Sequence, residues 1–160
     1  MRKLNLFFKE NVYFLLFLFF ALTIQLTIES LGLKNYYLPN IVLCIVFSFG
    51  YLHHIPLWVI AISVIICESF FSSAPVITSF LTILGYFLLT KFVSVGRIRE
   101  KNYHIIIFIL SCIVIYSTKI LWLFLNDSNP EVSTILIKML MTIIFFPIFY
   151  IITGKLHKLL

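Results

Sequence analysis

One carboxylate, that of Glu68, follows a stretch of the chain with almost no polarity. From Trp58 to Cys67 the only hydroxyl is that of Ser63, and no side chain is charged. Three more hydroxyls come soon after Glu68, those of Ser69, Ser72 and Ser73. Serines beside a carboxylate suggest nucleophilic hydrolysis, but that chemistry needs a base, and no His lies at the depth of Glu68 in the spans predicted below. We therefore expect no enzymatic activity.

Residues that bind metals or redox cofactors are scattered along the chain. Cys44, Cys67 and Cys112 are isolated from one another, without the two-residue spacing of a metal or redox pair, so we expect them to pack as small apolar groups. His53 and His54 are adjacent, and adjacent side chains on a turn diverge, which makes a poor chelate. The sequence predicts no metal site and no cofactor.

Composition indicates an integral membrane protein. The 160 residues are 62% apolar, 18% aromatic and only 11% charged, which leaves too few polar side chains to cover a water-soluble globule. The apolar runs are continuous, whereas a membrane barrel alternates apolar and polar residues. We expect an all-α fold, with residues 1–160 forming a single transmembrane helical domain.

Breakers between the apolar runs divide the chain into six predicted transmembrane helices. Pro39 and Asn40 mark the start of the second, Pro75 starts the fourth, and Pro147 lies within the sixth, where it should produce a kink. The predicted spans are 11–30, 38–52, 55–73, 75–93, 104–125 and 132–153.

Basic residues near the ends of these helices predict the topology. They form three groups: Arg2, Lys3 and Lys9; Lys91, Arg97, Arg99 and Lys101; Lys155 and Lys158. Lys and Arg in short loops favour the cytoplasmic side, so all three groups should share it. Four helices before the middle group and two after it satisfy this condition, and both termini are predicted to be cytoplasmic. The net charge of +6 is accounted for by this bias and by anionic lipid headgroups, with no need for nucleic acid.

Polar residues on four helices fall at one predicted depth. At about 1.5 Å per residue, Glu68, Lys119 and Lys138 each lie about 20 Å from the cytoplasmic side of a hydrocarbon core about 30 Å thick. Gln25 reaches a similar level, and Glu29 lies just above it. The sequence thus predicts one polar layer across the bundle.

The energy of burying charge predicts how this layer is arranged. A charged side chain in hydrocarbon costs about 2.5–3.5 kcal/mol on insertion scales, so these groups should face the interior and pair. We expect Glu68 to be opposed by Lys119 or Lys138. The alternative is that each lysine extends to the headgroups without a partner. A small-residue stripe of Thr78, Thr82 and Gly85 is expected to let the fourth helix pack closely.

Three local patterns resemble the rod shape-determining protein MreD family, and they cover most of the chain from Tyr37 onward. The first is Pro39-Asn40 before a short apolar helix, and the second is the stretch from Trp58 through Glu68 to Tyr86. The third runs from Ile143 to Tyr150 around Pro147 and precedes a basic tail. The chain departs from the family in having Glu68 where Asp is usual, and Ala61, Val64 and Val76 where Gly is usual.

The resemblance implies a non-enzymatic scaffold of the bacterial cell-elongation complex in the inner membrane, active in peptidoglycan synthesis. Its partners would be a bitopic MreC-like protein, MreB, RodA and the elongation transpeptidase. The resemblance carries over Pro39, Asn40, Glu68 and Pro147 as structural and assembly residues. The loop with Lys91, Arg97, Arg99 and Lys101 would offer a cytoplasmic contact surface.

A different class of function stays open at this point. Substrate-binding subunits of vitamin transporters have about this length and number of helices, and the layer around Glu68 and Lys119 lies at a suitable depth for a ligand. Short outer loops provide few ligand contacts, which counts against this alternative. This alternative would require a cavity that is open to the outside.

Overall fold

The chain folds into helices throughout the residues that the computed structural model describes, which are 2–30, 38–52, 55–71, 75–94, 101–126 and 131–159. Six α-helices occupy these ranges, as the sequence predicts. They are α1 (Arg2–Ser30), α2 (Ile41–Leu52), α3 (Leu57–Phe71), α4 (Pro75–Ser94), α5 (Lys101–Asn126) and α6 (Val132–Leu159).

Prolines explain several of the helix boundaries. α4 begins at Pro75, as predicted, because a residue without an N–H is well tolerated at the first helical position. α2 begins at Ile41, three residues later than predicted, since Asn40 caps the helix from the position before it. Pro147 lies inside the continuous α6, and a kink there stays a prediction.

α2 is the central element of the bundle. Every residue from Ile41 to Tyr51 is buried, and α2 packs against α1, α3, α4 and α6. Neighbouring contacts between α3 and α4, α4 and α5, and α5 and α6 form an arc of helices around it. A helix of 12 residues is only about 18 Å long, so both ends of α2 lie close to the interior of the bundle.

Aromatic rings fill the space between α2 and the helices around it. Phe108 of α5 stacks on Phe146 of α6 with centroids 3.6 Å apart, and Phe47 of α2 meets Phe108 edge-on at 5.5 Å. On the other side of α2, Phe49 meets Phe14 of α1 at 5.4 Å. These rings are fully or almost fully buried and hold α1, α2, α5 and α6 together by dispersion and area burial.

α4 approaches α2 closely through the predicted small-residue stripe. Thr78 and Thr82 are buried, and a Cβ at Gly85 would lie 3.1 Å from Cζ of Phe47. Tyr86, also buried, donates a hydrogen bond of 2.7 Å to the carbonyl of Ile55, just before α3. The expected close packing of α4 is therefore confirmed.

The outer surface is apolar, as it would be in lipid. Large hydrophobic side chains such as Phe19, Trp58, Phe70 and Leu125 are mostly exposed. Among the described residues, three helices are long and apolar enough to cross a membrane: Lys9–Ile28, Tyr103–Asn126 and Val132–Leu156. The helices Ile41–Leu52, Leu57–Phe70 and Val76–Leu88 are apolar but shorter. These features indicate a membrane protein.

The contact between Gly85 and Phe47 predicts the effect of a larger side chain. Gly85→Leu should destabilise the fold by about 1–3 kcal/mol because the added atoms overpack the boundary between α2 and α4. Thermal unfolding of the purified protein in detergent measures this loss. Gly154→Ala is the control, since a Cβ there meets Leu52 Cδ1 at an ordinary 3.8 Å. Equal melting temperatures for Gly85→Leu and the unsubstituted protein would contradict the prediction.

Candidate functional site: a polar cluster at the amino end of α2

Asn40 caps the amino end of α2 inside the bundle. Its Oδ1 accepts a hydrogen bond of 3.0 Å from the N–H of Leu43, and its carbonyl accepts one of 3.2 Å from the N–H of Cys44. The first N–H groups of a helix have no partner within it, and Asn is among the best residues for supplying one. These capping bonds explain why the helix starts directly after Pro39 and Asn40, the pair that marks its start in the sequence.

Thr142 of α6 joins the start of α2 to α5. Its Oγ1 accepts the N–H of Asn40 at 2.9 Å and donates to the carbonyl of Lys138 at 2.7 Å. The hydroxyl of Tyr116 lies 3.2 Å from the same oxygen and therefore acts as donor, because Thr142 has only one proton to give. The hydroxyl of Thr142 thus uses its donor and both lone pairs, and it holds three helices together.

Glu68 brings α3 into the cluster. Its side chain is only 5% exposed, and its Oε1 accepts a hydrogen bond of 3.1 Å from Nδ2 of Asn40. The positive amino end of α2 favours a negative charge at this place. Lys119 of α5 lines the same small cavity as Glu68. Glu68 therefore accepts a hydrogen bond from a neutral amide and shares a cavity lining with a basic side chain.

All six helices meet at one small cavity beside this carboxylate. Its volume is about 20 Å³. Its lining comprises Gln25, Asn40, Val42, Cys67, Glu68, Thr78, Ile115, Tyr116, Lys119 and Lys138. The structure thus brings together Glu68, both predicted lysines and Gln25, as the common depth of these residues predicts. Both lysines line the interior cavity and are partly buried.

The cluster also contains a hydrogen-bond partner of Glu68 that the positions of the charged residues along the chain do not predict. Glu68 is expected to pair with a lysine, but the hydrogen bond to its carboxylate comes from Asn40. The signal that could have found it is the Pro-Asn pair before an apolar helix, because a capping amide has a free N–H₂ for a second partner. The side chain of Glu29 lies outside the described residues. So do the side chains of the predicted basic loop, Lys91, Arg97, Arg99 and Lys101.

A second polar group lies at the carboxyl end of α2, and the sequence did not predict it. His104 Nδ1 of α5 and the hydroxyl of Tyr150 of α6 are 2.9 Å apart, and the ring of Tyr51 stacks on His104 at 4.3 Å. His104 is buried. This hydrogen bond joins α5 to α6, and α2 contacts the group through the stacked ring of Tyr51.

The polar groups of the cluster at the amino end of α2 hold the helices in position through hydrogen bonds. Its hydroxyls bond to each other and to backbone groups, and its carboxylate bonds to an amide. Each group fixes the position of a helix. The cluster therefore defines the relative register of α2, α3, α5 and α6, since a shift would leave buried donors and acceptors unpaired.

Fold and cluster together define a helical membrane protein with a buried polar centre. Comparison with protein-family models, with curated proteins and with solved structures finds no match for this chain.

The three bonds at Thr142 predict the effect of removing its hydroxyl. Thr142→Val keeps the shape but leaves the N–H of Asn40 and the hydroxyl of Tyr116 without an acceptor, at about 1–3 kcal/mol for each buried unpaired group. Thr142→Ser should retain most of the stability. Unfolding of the purified protein, by heat or by denaturant, measures the difference.

Thr153 offers a matched control on the same helix. It is as deeply buried as Thr142, but within the described part of the chain its hydroxyl bonds only to the carbonyls of Phe149 and Tyr150 in α6 itself. Thr153→Val should therefore cost little, because those carbonyls also belong to the helical ladder. Equal losses for Thr142→Val and Thr153→Val would show that the contacts of Thr142 across helices do not stabilise the fold.

Proposed function

We propose that the chain is a non-enzymatic scaffold of the bacterial cell-elongation complex, resembling the MreD family, in the inner membrane. In this proposal all six helices cross the membrane and both termini are cytoplasmic, which follows from the positions of the basic residues. The shorter α2, α3 and α4 cross as part of the bundle, with α2 enclosed by its neighbours. The amino end of α2 then lies within the membrane.

The size of the central cavity is the observation that favours a scaffold over the transporter alternative. Pockets for small molecules have volumes of about 300–1,000 Å³. The cavity beside Glu68 measures about 20 Å³, and the side chains around it already bond to one another. A polar centre of this size is suited to holding helices in place and is too small for a vitamin.

A lateral groove between α1 and α3 is suited to a partner's single membrane helix. It has a volume of about 440 Å³, against 220 Å³ for a groove between α4 and α5 and 340 Å³ for one between α3 and α4. On α1 it extends from Val12 to Leu22, which is about 15 Å of helix. Ser63 provides a small polar residue in its wall, of the kind that lets membrane helices approach closely.

The proposed partner is the bitopic MreC-like protein, whose one membrane helix would occupy the groove. MreB, RodA and the elongation transpeptidase would belong to the same complex, with MreB on the cytoplasmic side near the basic loop. Dispersion and interhelical contacts would drive binding, since lipid offers no hydrophobic gain for helix association. The chain would contribute position and no chemical step.

Photo-crosslinking from the groove tests this proposal. A photoreactive aromatic amino acid replaces Phe19 on α1 or Ile66 on α3, which are 68% and 50% exposed, in cells that express the partner. Ile144 on α6, 63% exposed, is the control position. Crosslinks to the partner should be several times stronger from Phe19 and Ile66 than from Ile144.

Two outcomes would count against the scaffold. Equal or absent crosslinking at all three positions would remove the groove as the binding site for the partner. Purification of the intact chain with a stoichiometric bound vitamin, and without any single-span protein, would favour the transporter class instead.

A further inference from the structure

Gln25 is the polar end of the buried face of α1. Phe14, Leu18 and Ala21 precede it at helical spacing, and all four side chains are buried against the bundle. Gln25 is only 2% exposed, and its Oε1 has no hydrogen-bond donor among the described residues. Gln25 lines the same cavity as Glu68 and the two lysines.

An amide oxygen buried without a donor is energetically costly. The penalty for such a group is about 1–3 kcal/mol, and buried polar atoms in proteins are normally satisfied by the chain or by ordered water. The other buried residues on this face of α1 are apolar. A hydrogen-bond donor in the cavity would satisfy Oε1 of Gln25 and so explain why a glutamine is buried there.

The cavity has the volume and the lining of a site for one water molecule. A water needs about 10–15 Å³ of space for its centre and two to four polar partners. The cavity offers about 20 Å³, with Gln25, Glu68, Lys119 and Lys138 in its wall. We propose that it binds a single water molecule, which donates to Oε1 of Gln25 and to the Glu68 carboxylate and accepts from a lysine ammonium.

The mixed chemistry of the lining selects water over an ion. Two ammonium groups repel a metal cation, and a carboxylate with an amide oxygen disfavours an anion. Water donates to the oxygens and accepts from an ammonium at the same time. The cavity therefore favours water because its lining contains both hydrogen-bond donors and acceptors and its volume fits one water molecule.

Bound water would attach α1 to the polar cluster. The other buried residues of its inner face, Phe14, Leu18 and Ala21, are apolar and leave its depth less strictly defined. A water bridge from Gln25 to α3 and to the lysine helices fixes that depth. The site does not depend on which partner the bundle binds.

Gln25 is the only glutamine in the chain, so selective isotope labelling reports on it without further assignment. Chain labelled with ¹⁵N and ¹³C in glutamine is placed in hydrated bilayers for solid-state NMR. Magnetisation should pass from water protons to the side-chain amide of Gln25. Absence of this transfer would overturn the proposal. A lysine that bonds directly to Oε1 of Gln25, in place of water, would give this result.

Filling the cavity from another residue provides the matched test. Val42→Ile adds a methylene at the cavity wall and should abolish the transfer while Gln25 is unchanged. Val46→Ile adds the same group one turn along α2, at a buried position that does not line the cavity, and should leave the transfer intact. Transfer that is unaffected by Val42→Ile, in a protein that folds, would also overturn the proposal.

Discussion

The amino end of α2 is the constraint on which the rest of the structure depends. A helix that begins in the apolar interior has N–H groups that are shielded from bulk water, and each unpaired group costs about 1–3 kcal/mol. Asn40 supplies the cap, Thr142 accepts the N–H of Asn40, and Glu68 accepts from the side chain of Asn40. A buried carboxylate in an apolar chain is thus explained by the helix end next to it.

The polar cluster and the aromatic core have different roles in the fold. Rings such as Phe47, Phe108 and Phe146 provide dispersion and area, but apolar surfaces can slide without leaving a group unpaired. Hydrogen bonds at Asn40 and Thr142 do not tolerate such a shift. A bundle fixed in register at its centre presents the same outer grooves in every copy, and the proposed scaffold function would need such defined surfaces.

Local signals made much of the fold predictable from the sequence. Long apolar runs and the prolines at 39 and 75 located the helices, and the energy of burying charge located the polar layer of Glu68, Lys119 and Lys138. Contacts between distant residues were not predictable, because one sequence does not say which helix faces which. The bond of Asn40 to Glu68 and that of His104 to Tyr150 depend on this packing.

The coupling between Asn40 and Glu68 tests the central claim most directly. A double-mutant cycle compares the unfolding free energies of Asn40→Ala, Glu68→Ala and the double variant with that of the unsubstituted protein in the same lipid or detergent. Residues joined in one buried network typically couple by about 0.5–3 kcal/mol, and a coupling of about 1 kcal/mol or more is predicted here. Additive effects of the two substitutions, within about 0.3 kcal/mol, would show that the carboxylate does not stabilise the start of α2.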